Sequence, residues 1–195
     1  MGAPIRRKEH RRQVLHLVVG SFLLFLAATG VAHWWWFFGM LVAAYGLILL
    51  SQITTFLGLH RLVSWAQQKY DREDAYLPLW GLLALLKGFL ITTVLFPQDI
   101  SVPALAVLVY GDAFATLVGR DLSSAKLPWH HRKTWAGLLA GTAASFLVLA
   151  LLLAPLAAFL ASLAGMLVES LPRPQPLLDD NLAIPIVAGL VLLAL

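Results

Sequence analysis

An all-α bundle of about seven membrane-spanning helices is the fold the sequence predicts, and three observations predict it. Of 195 residues, 60% are hydrophobic and only 12% charged, and the mean hydropathy of +0.82 lies far above that of ordinary globular chains. Apolar runs recur at 14–30, 34–59, 77–96, 102–119, 135–153, 156–170 and 182–195, each a candidate for the roughly 20 residues that cross a hydrocarbon core. The basic residues also sort by connection, as the positive-inside rule requires.

Taken in order, the first run follows "RRKEHRR" and has no small-residue cleavage site, so it reads as an uncleaved anchor rather than a signal peptide. The second begins with "HWWWFF", His33 to Phe38, an interfacial aromatic belt. Segment 60–76 reads as a helical extension carrying i,i+4 charges. The stretch 135–170 is too long for one span and Pro155 divides it. With the amino terminus cytoplasmic, segments 1–13, 60–76, 120–134 and 171–181 face inward. They hold thirteen of the fourteen basic residues, and Lys87 is the fourteenth. The expectation is a single integral membrane domain over 1–195, amino terminus cytoplasmic and carboxyl terminus external.

Charge inside such a chain needs a reason. Asp112 lies in "GDAFATLVGR", about eight residues or roughly 12 Å before the end of its run. Intramembrane acids face a bundle interior or a wet cavity and mark functional paths. Its bland alternative is a buried ion pair with Lys87. After the run come Arg120, Lys126, His130, His131, Arg132 and Lys133, a loop suited to phosphates or to anchoring on anionic lipid. It leads into a helix opening at Thr134-Trp135, whose amino end favours anions. Glu169 and "DDNLAIP" from Asp179 supply further oxygen ligands. Asp112, Asp180 and Asn181 together suit magnesium, although Asp180 or Asn181 also reads as a simple helix cap. His16 sits one turn inside the first run. There is no cysteine, no zinc-finger spacing, no Walker loop and no serine elbow. No nucleic-acid partner is expected.

"GDAFATLVGR", the basic loop ending "KTWAG", Glu169 and "DNLAIP" together resemble the CTP-dependent lipid-alcohol kinases. That family includes the dolichol, phytol and CTP-type diacylglycerol kinases and is related to phosphatidate cytidylyltransferase. The opening Arg11-Arg12-x-x-Leu15-His16-x-x-x-Gly20 is similar to a basic-plus-histidine signature of the phytol-kinase branch. The resemblance implies phosphoryl transfer from CTP to a membrane lipid alcohol with magnesium. Its matching positions are His16, Asp112, Arg120, Lys133, Glu169, Asp180 and Asn181. In that reading Asp112, Glu169 and His16 are catalytic, and Arg120, Lys126, Lys133 and Thr134 hold the nucleotide. Ala136 stands where an acid is frequent in the family, which weakens any carboxylate role in this loop. The alternatives are a cytidylyltransferase releasing pyrophosphate, and a transporter using Asp112 and Lys87 as a relay.

Overall fold

The computed structural model describes residues 3–53, 57–71, 75, 77–122, 124–172 and 179–195. Arg72 and Arg173, two of the charges used to assign sides, lie outside the described residues. Among those residues the helices are α1 (Ala3–Ala28), α2 (Trp34–Ile53), α3 (Leu57–Tyr70), α4 (Trp80–Leu95) and α5 (Gln98–Ala106). A π-helical segment, Val107–Asp112, runs straight on into α6 (Ala113–Asp121). A two-stranded antiparallel hairpin follows, β1 (Lys126–Leu127) and β2 (His130–Thr134), and then α7 (Trp135–Leu149), α8 (Pro155–Ser170) and α9 (Asp180–Leu193).

The ends of these helices follow from local chemistry. The Thr134 hydroxyl accepts the Gly137 N–H at 3.2 Å and caps α7. Proline is tolerated at the first helical position because its missing N–H would be unpaired there anyway, so Pro155 opens α8 where the sequence suggested a break. Asp179 caps α9 by accepting the Leu182 N–H at 3.1 Å. The cap is therefore neither Asp180 nor Asn181, and Asp180 is released for other work.

The seven-span prediction does not stand. Among the described residues, three helices are long and apolar enough to cross a membrane: Lys8–Ala28, Trp34–Ile53 and Gln98–Asp121, of 21, 20 and 24 residues. The other four expected spans form helices of only 14 to 16 residues, about 21–24 Å at 1.5 Å per residue. That is short of a core of roughly 30 Å. One face of each contributes apolar side chains to the protein interior, while others such as Leu139, Leu147 and Leu156 stay exposed. Leu83, Leu86 and Phe89 of α4, Met166 of α8 and Ile184 of α9 are almost fully buried, with Phe37 of α2 against Phe89 at 5.3 Å. Charges with ion-pair partners, the buried Glu9 and Glu169 and the partly buried Asp179 among them, sit at the ends of this packing. The multi-pass topology with a cytoplasmic amino terminus and an external carboxyl terminus falls with the span count. Its alternation of sides depended on all seven crossings. Within the segment read as a loop at 120–134, Lys126–Thr134 form a hairpin, with Lys126 opposite Thr134 and Leu127 opposite His130.

Helices approach closely where glycine removes the side chain. A Cβ on Gly137 would stand 2.7 Å from the Ala115 carbonyl oxygen, and one on Gly141 would stand 2.7 Å from that of Gly111. This seam draws α7 against the π segment and α6, backbone to backbone. A second close approach joins α4 to α9, where a Cβ on Gly88 would lie 2.2 Å from the Asn181 carbonyl oxygen. Gly88→Ala should therefore lower stability by about 1–3 kcal/mol, the usual cost of overpacking. Gly81→Ala on the same helix, with nothing within 4 Å, should be neutral or slightly stabilising. Thermal unfolding of the two variants side by side checks this, and equal behaviour would remove the α4–α9 contact from the account.

Candidate active site

Three acids distant in sequence meet at one place. Asp112 ends the π segment, Glu169 lies one residue before the end of α8, and Asp180 starts α9. One carboxylate oxygen of each lies within 4.8 Å of the others. Three mechanical causes bring them there. The glycine seam presses α7 against Asp112's helix, Gly165 lets Val107 of the π segment pack on α8, and Gly88 lets α9 settle on α4. The π turn matters for direction. It adds a residue to the helical turn ahead of Asp112, and such turns recur at functional sites because they re-aim a side chain without ending the helix.

Three carboxylates this close repel one another, and Lys133 offsets that. From strand β2 its ammonium donates to the Glu169 carboxylate and, at 2.7 Å, to the Glu169 carbonyl, and it lies 3.5 Å from Asp180 Oδ2. The hairpin is held over α8 by a second bond, from the Trp129 indole to Ser170 Oγ at 3.1 Å. Glu169 is 4% exposed. Burial pushes its carboxyl up to about 7, the Lys133 charge opposes this, and the negative charges of Asp112 and Asp180 add to it. The donor set is all oxygen and carries no sulfur or imidazole. It suits a hard divalent cation such as magnesium rather than zinc.

The other predicted residues fall in distinct places. Arg120, in the last turn of α6, pairs with Glu9 of α1 at 3.3 Å, and Glu9 also binds Arg12, whose Nε donates at 3.1 Å. Glu9 was invisible as a site residue in the sequence, although a lone acid inside a basic run was the available signal. Lys126 is exposed on β1. The Thr134 hydroxyl is committed to the α7 cap and to the Gly119 carbonyl. Asn181 Oδ1 is buried with no hydrogen-bond partner among the described residues. His16 lies on α1 with its Nε2 buried and without a hydrogen-bond partner among the described residues. Lys87 does not pair with Asp112. It pairs with Asp179 at 3.7 Å and lies over the Trp80 ring at 4.8 Å. The register-holding Asp112–Lys87 pair, and the relay built from it, therefore lose their geometry.

The raised Glu169 carboxyl makes a stability prediction. In metal-free protein the folded state keeps a proton on Glu169 between about pH 4.5 and 7 that the unfolded chain releases. Stability should therefore decline as pH rises through that window. Glu169→Gln should flatten this part of the profile, and magnesium chloride should restore stability on its alkaline side. Melting temperature against pH, with EDTA and then with magnesium, is the measurement. Identical profiles for variant and parent would mean that Glu169 stays ionised throughout.

Comparison with known proteins locates the chain among sequences. No family model matches, and no solved structure matches. The chain is 29% identical to probable phytol kinase 2, chloroplastic, of Glycine max, over 94% of its own length and 64% of that protein's. It is 29% identical to the probable chloroplastic phytol kinase of Triticum aestivum, over 92% and 65% respectively. It is 30% identical to phytol kinase 1, chloroplastic, of Arabidopsis thaliana, over 56% and 40%. The chain thus spans less than two thirds of the length of these relatives. By sequence, the chain is a homologue of the plant phytol kinases, at about 30% identity over much of its length.

Proposed function

We propose that the chain is a CTP-dependent kinase core that phosphorylates a lipid alcohol, a polyprenol, a phytol-like isoprenoid or a diacylglycerol. The observation that carries this reading is the convergence of Asp112, Glu169 and Asp180 within 4.8 Å, with Lys133 against two of them. That convergence occurs in a chain homologous to phytol kinases. Asp112, Asp180 and Glu169 would hold magnesium, with Asn181 beside them. When bound, it would draw charge from the phosphate oxygens.

The remaining chemistry falls to the chain's own groups. Lys133 presents a point charge at the carboxylate cluster, and Arg12 and Arg120, both gripped by Glu9, offer guanidinium forks to phosphate. Lys126 extends the positive rim along the hairpin. In the transfer, the alcohol oxygen bonds to the γ-phosphorus and the bond from that phosphorus to the β–γ bridging oxygen breaks. CDP departs, and the hydroxyl proton passes to a base of the site, His16 or one of the carboxylates. Phosphoryl transfer asks little covalent work of a protein, so positioning and charge neutralisation supply most of the rate.

Purified protein, magnesium, a lipid-alcohol extract and CTP labelled at either the α or the γ phosphorus decide the matter. Label should reach lipid from the γ position alone. Label from the α position would make the chain a cytidylyltransferase instead. Asp112→Asn and Asp180→Asn should each lower kcat/KM by at least about a hundredfold, or ~2.7 kcal/mol, without loss of the folded state. Turnover that survives both substitutions would end the metal-site reading.

A further inference from the structure

The hairpin that carries Lys133 is irregular where that lysine sits. Consecutive residues of β1, Lys126 and Leu127, pair with Thr134 and His130 of β2. His131, Arg132 and Lys133 therefore bulge out of the ladder, with no residue opposite them among those described. A bulge bends its strand and re-aims side chains. Its backbone N–H groups lose their ladder partners and need others.

One side chain satisfies two of them. His130 Nδ1 accepts the Arg132 N–H at 3.1 Å and the Lys133 N–H at 3.2 Å. Both partners are backbone N–H groups, which only donate, so Nδ1 presents its lone pair and the ring hydrogen is on Nε2. His130 is thus a neutral imidazole in this arrangement and not one of the loop's cations. A side chain that accepts from the amides two and three residues on is the pattern asparagine, aspartate, serine and threonine form in turns. The ring of His131 stacks on that of His130, 5.2 Å away and inclined by 4°. On both sides of this tether the hairpin is fastened to the end of α8. Trp129 donates to Ser170 Oγ at 3.1 Å, and Lys133 donates to the Glu169 carbonyl at 2.7 Å and to its carboxylate.

We propose that His130 is a positioning residue for Lys133, its Nδ1 holding the bulge in the course that delivers the ammonium to Glu169 and Asp180. The inference deepens the kinase reading and rests on it only for what Lys133 does in turnover. Lysine is a point charge on a flexible stem, so the course of its backbone decides which groups the ammonium can reach. Here the ammonium reaches the Glu169 carboxylate and lies 3.5 Å from Asp180 Oδ2. The bulge that sets this course closes on His130.

The test compares three variants. His130→Leu and His130→Gln remove the acceptor, since the glutamine amide oxygen lies near the Nε2 position. His130→Asn keeps it, because the asparagine oxygen takes the place of Nδ1 in the same turn pattern. In purified, metal-free protein, acetylation by an N-hydroxysuccinimide ester, read by mass spectrometry, reports on Lys133. It should be at least about fivefold faster in His130→Leu and His130→Gln than in the parent, as expected for two lost hydrogen bonds, and within about twofold in His130→Asn. Residue-resolved amide exchange should quicken at Arg132 and Lys133 in the first two variants. Trp135, whose N–H donates to the Ala125 carbonyl at 3.1 Å, should exchange as in the parent. With CTP, magnesium and lipid alcohol, kcat/KM should fall at least about fivefold in the first two variants and recover in His130→Asn. If His130→Leu does not fold, the glutamine and asparagine variants carry the comparison. Four results would overturn the proposal: Lys133 labelled no faster without the acceptor, glutamine serving as well as asparagine, Trp135 exchanging as fast as Lys133, or Lys133 freed with turnover unchanged. The third would mean that His130 only holds the hairpin together. Should the parent transfer no γ-phosphate, the kinase reading would fail, and labelling and exchange would decide the positioning by themselves.

Discussion

The ammonium of Lys133 is the interaction on which the rest of the site depends. Asp112, Glu169 and Asp180 arrive from three helices and stand within 4.8 Å of one another. At that spacing two like charges cost roughly 3–4 kcal/mol for an effective dielectric near 20. One cation shared between Glu169 and Asp180 offsets much of this and ties β2 to the ends of α8 and α9. The hairpin is thereby a structural part of the acid cluster. A charged loop waiting for lipid headgroups would need no such placement.

The amino end of α9 shows how a short segment separates roles among adjacent residues. In "DDNLAIP", Asp179 takes the cap and meets Lys87. Asp180 turns to Lys133 and the other carboxylates. The Asn181 carbonyl packs on Gly88. Burial raises the Asp179 carboxyl while the Lys87 charge opposes that rise, so Lys87 supports the helix start that aims Asp180. The lysine that in sequence looked like a partner for Asp112 instead acts one element away.

On the opposite side of Asp112, α1 contributes two polar features of different chemistry. Toward its amino end, Glu9 gathers the donors of Arg12 and Arg120. One to two turns later, Gln13 Oε1 and His16 Nε2 are buried without a hydrogen-bond partner among the described residues. Both are aligned with Asp112 by the packing of Gly20 and Ser21 on the π segment.

Much of the candidate site's composition was legible in the sequence, because ionisable residues in an apolar chain are costly and therefore few. Asp112, Glu169, Asp180, Lys133 and His16 stood out for that reason, and four of these five, all but His16, are joined by contacts or close approach. The split at Pro155 was legible too, since proline's missing N–H permits only the start of a helix there. The span count was not. Composition reports how apolar a segment is, but an apolar helix of 14–16 residues serves a protein core as well as a bilayer. Only the packing of α4, α8 and α9 shows which use is made of it. The π turn, the Lys87–Asp179 pairing and the role of Glu9 were hidden for a related reason. Each depends on which elements lie side by side, and close backbone approach at Gly88, Gly137 and Gly141 decides that. The sequence by itself determined which chemical groups the site has available. The tertiary structure alone decided their partners, because distance and burial are properties of packed helices and not of residue order.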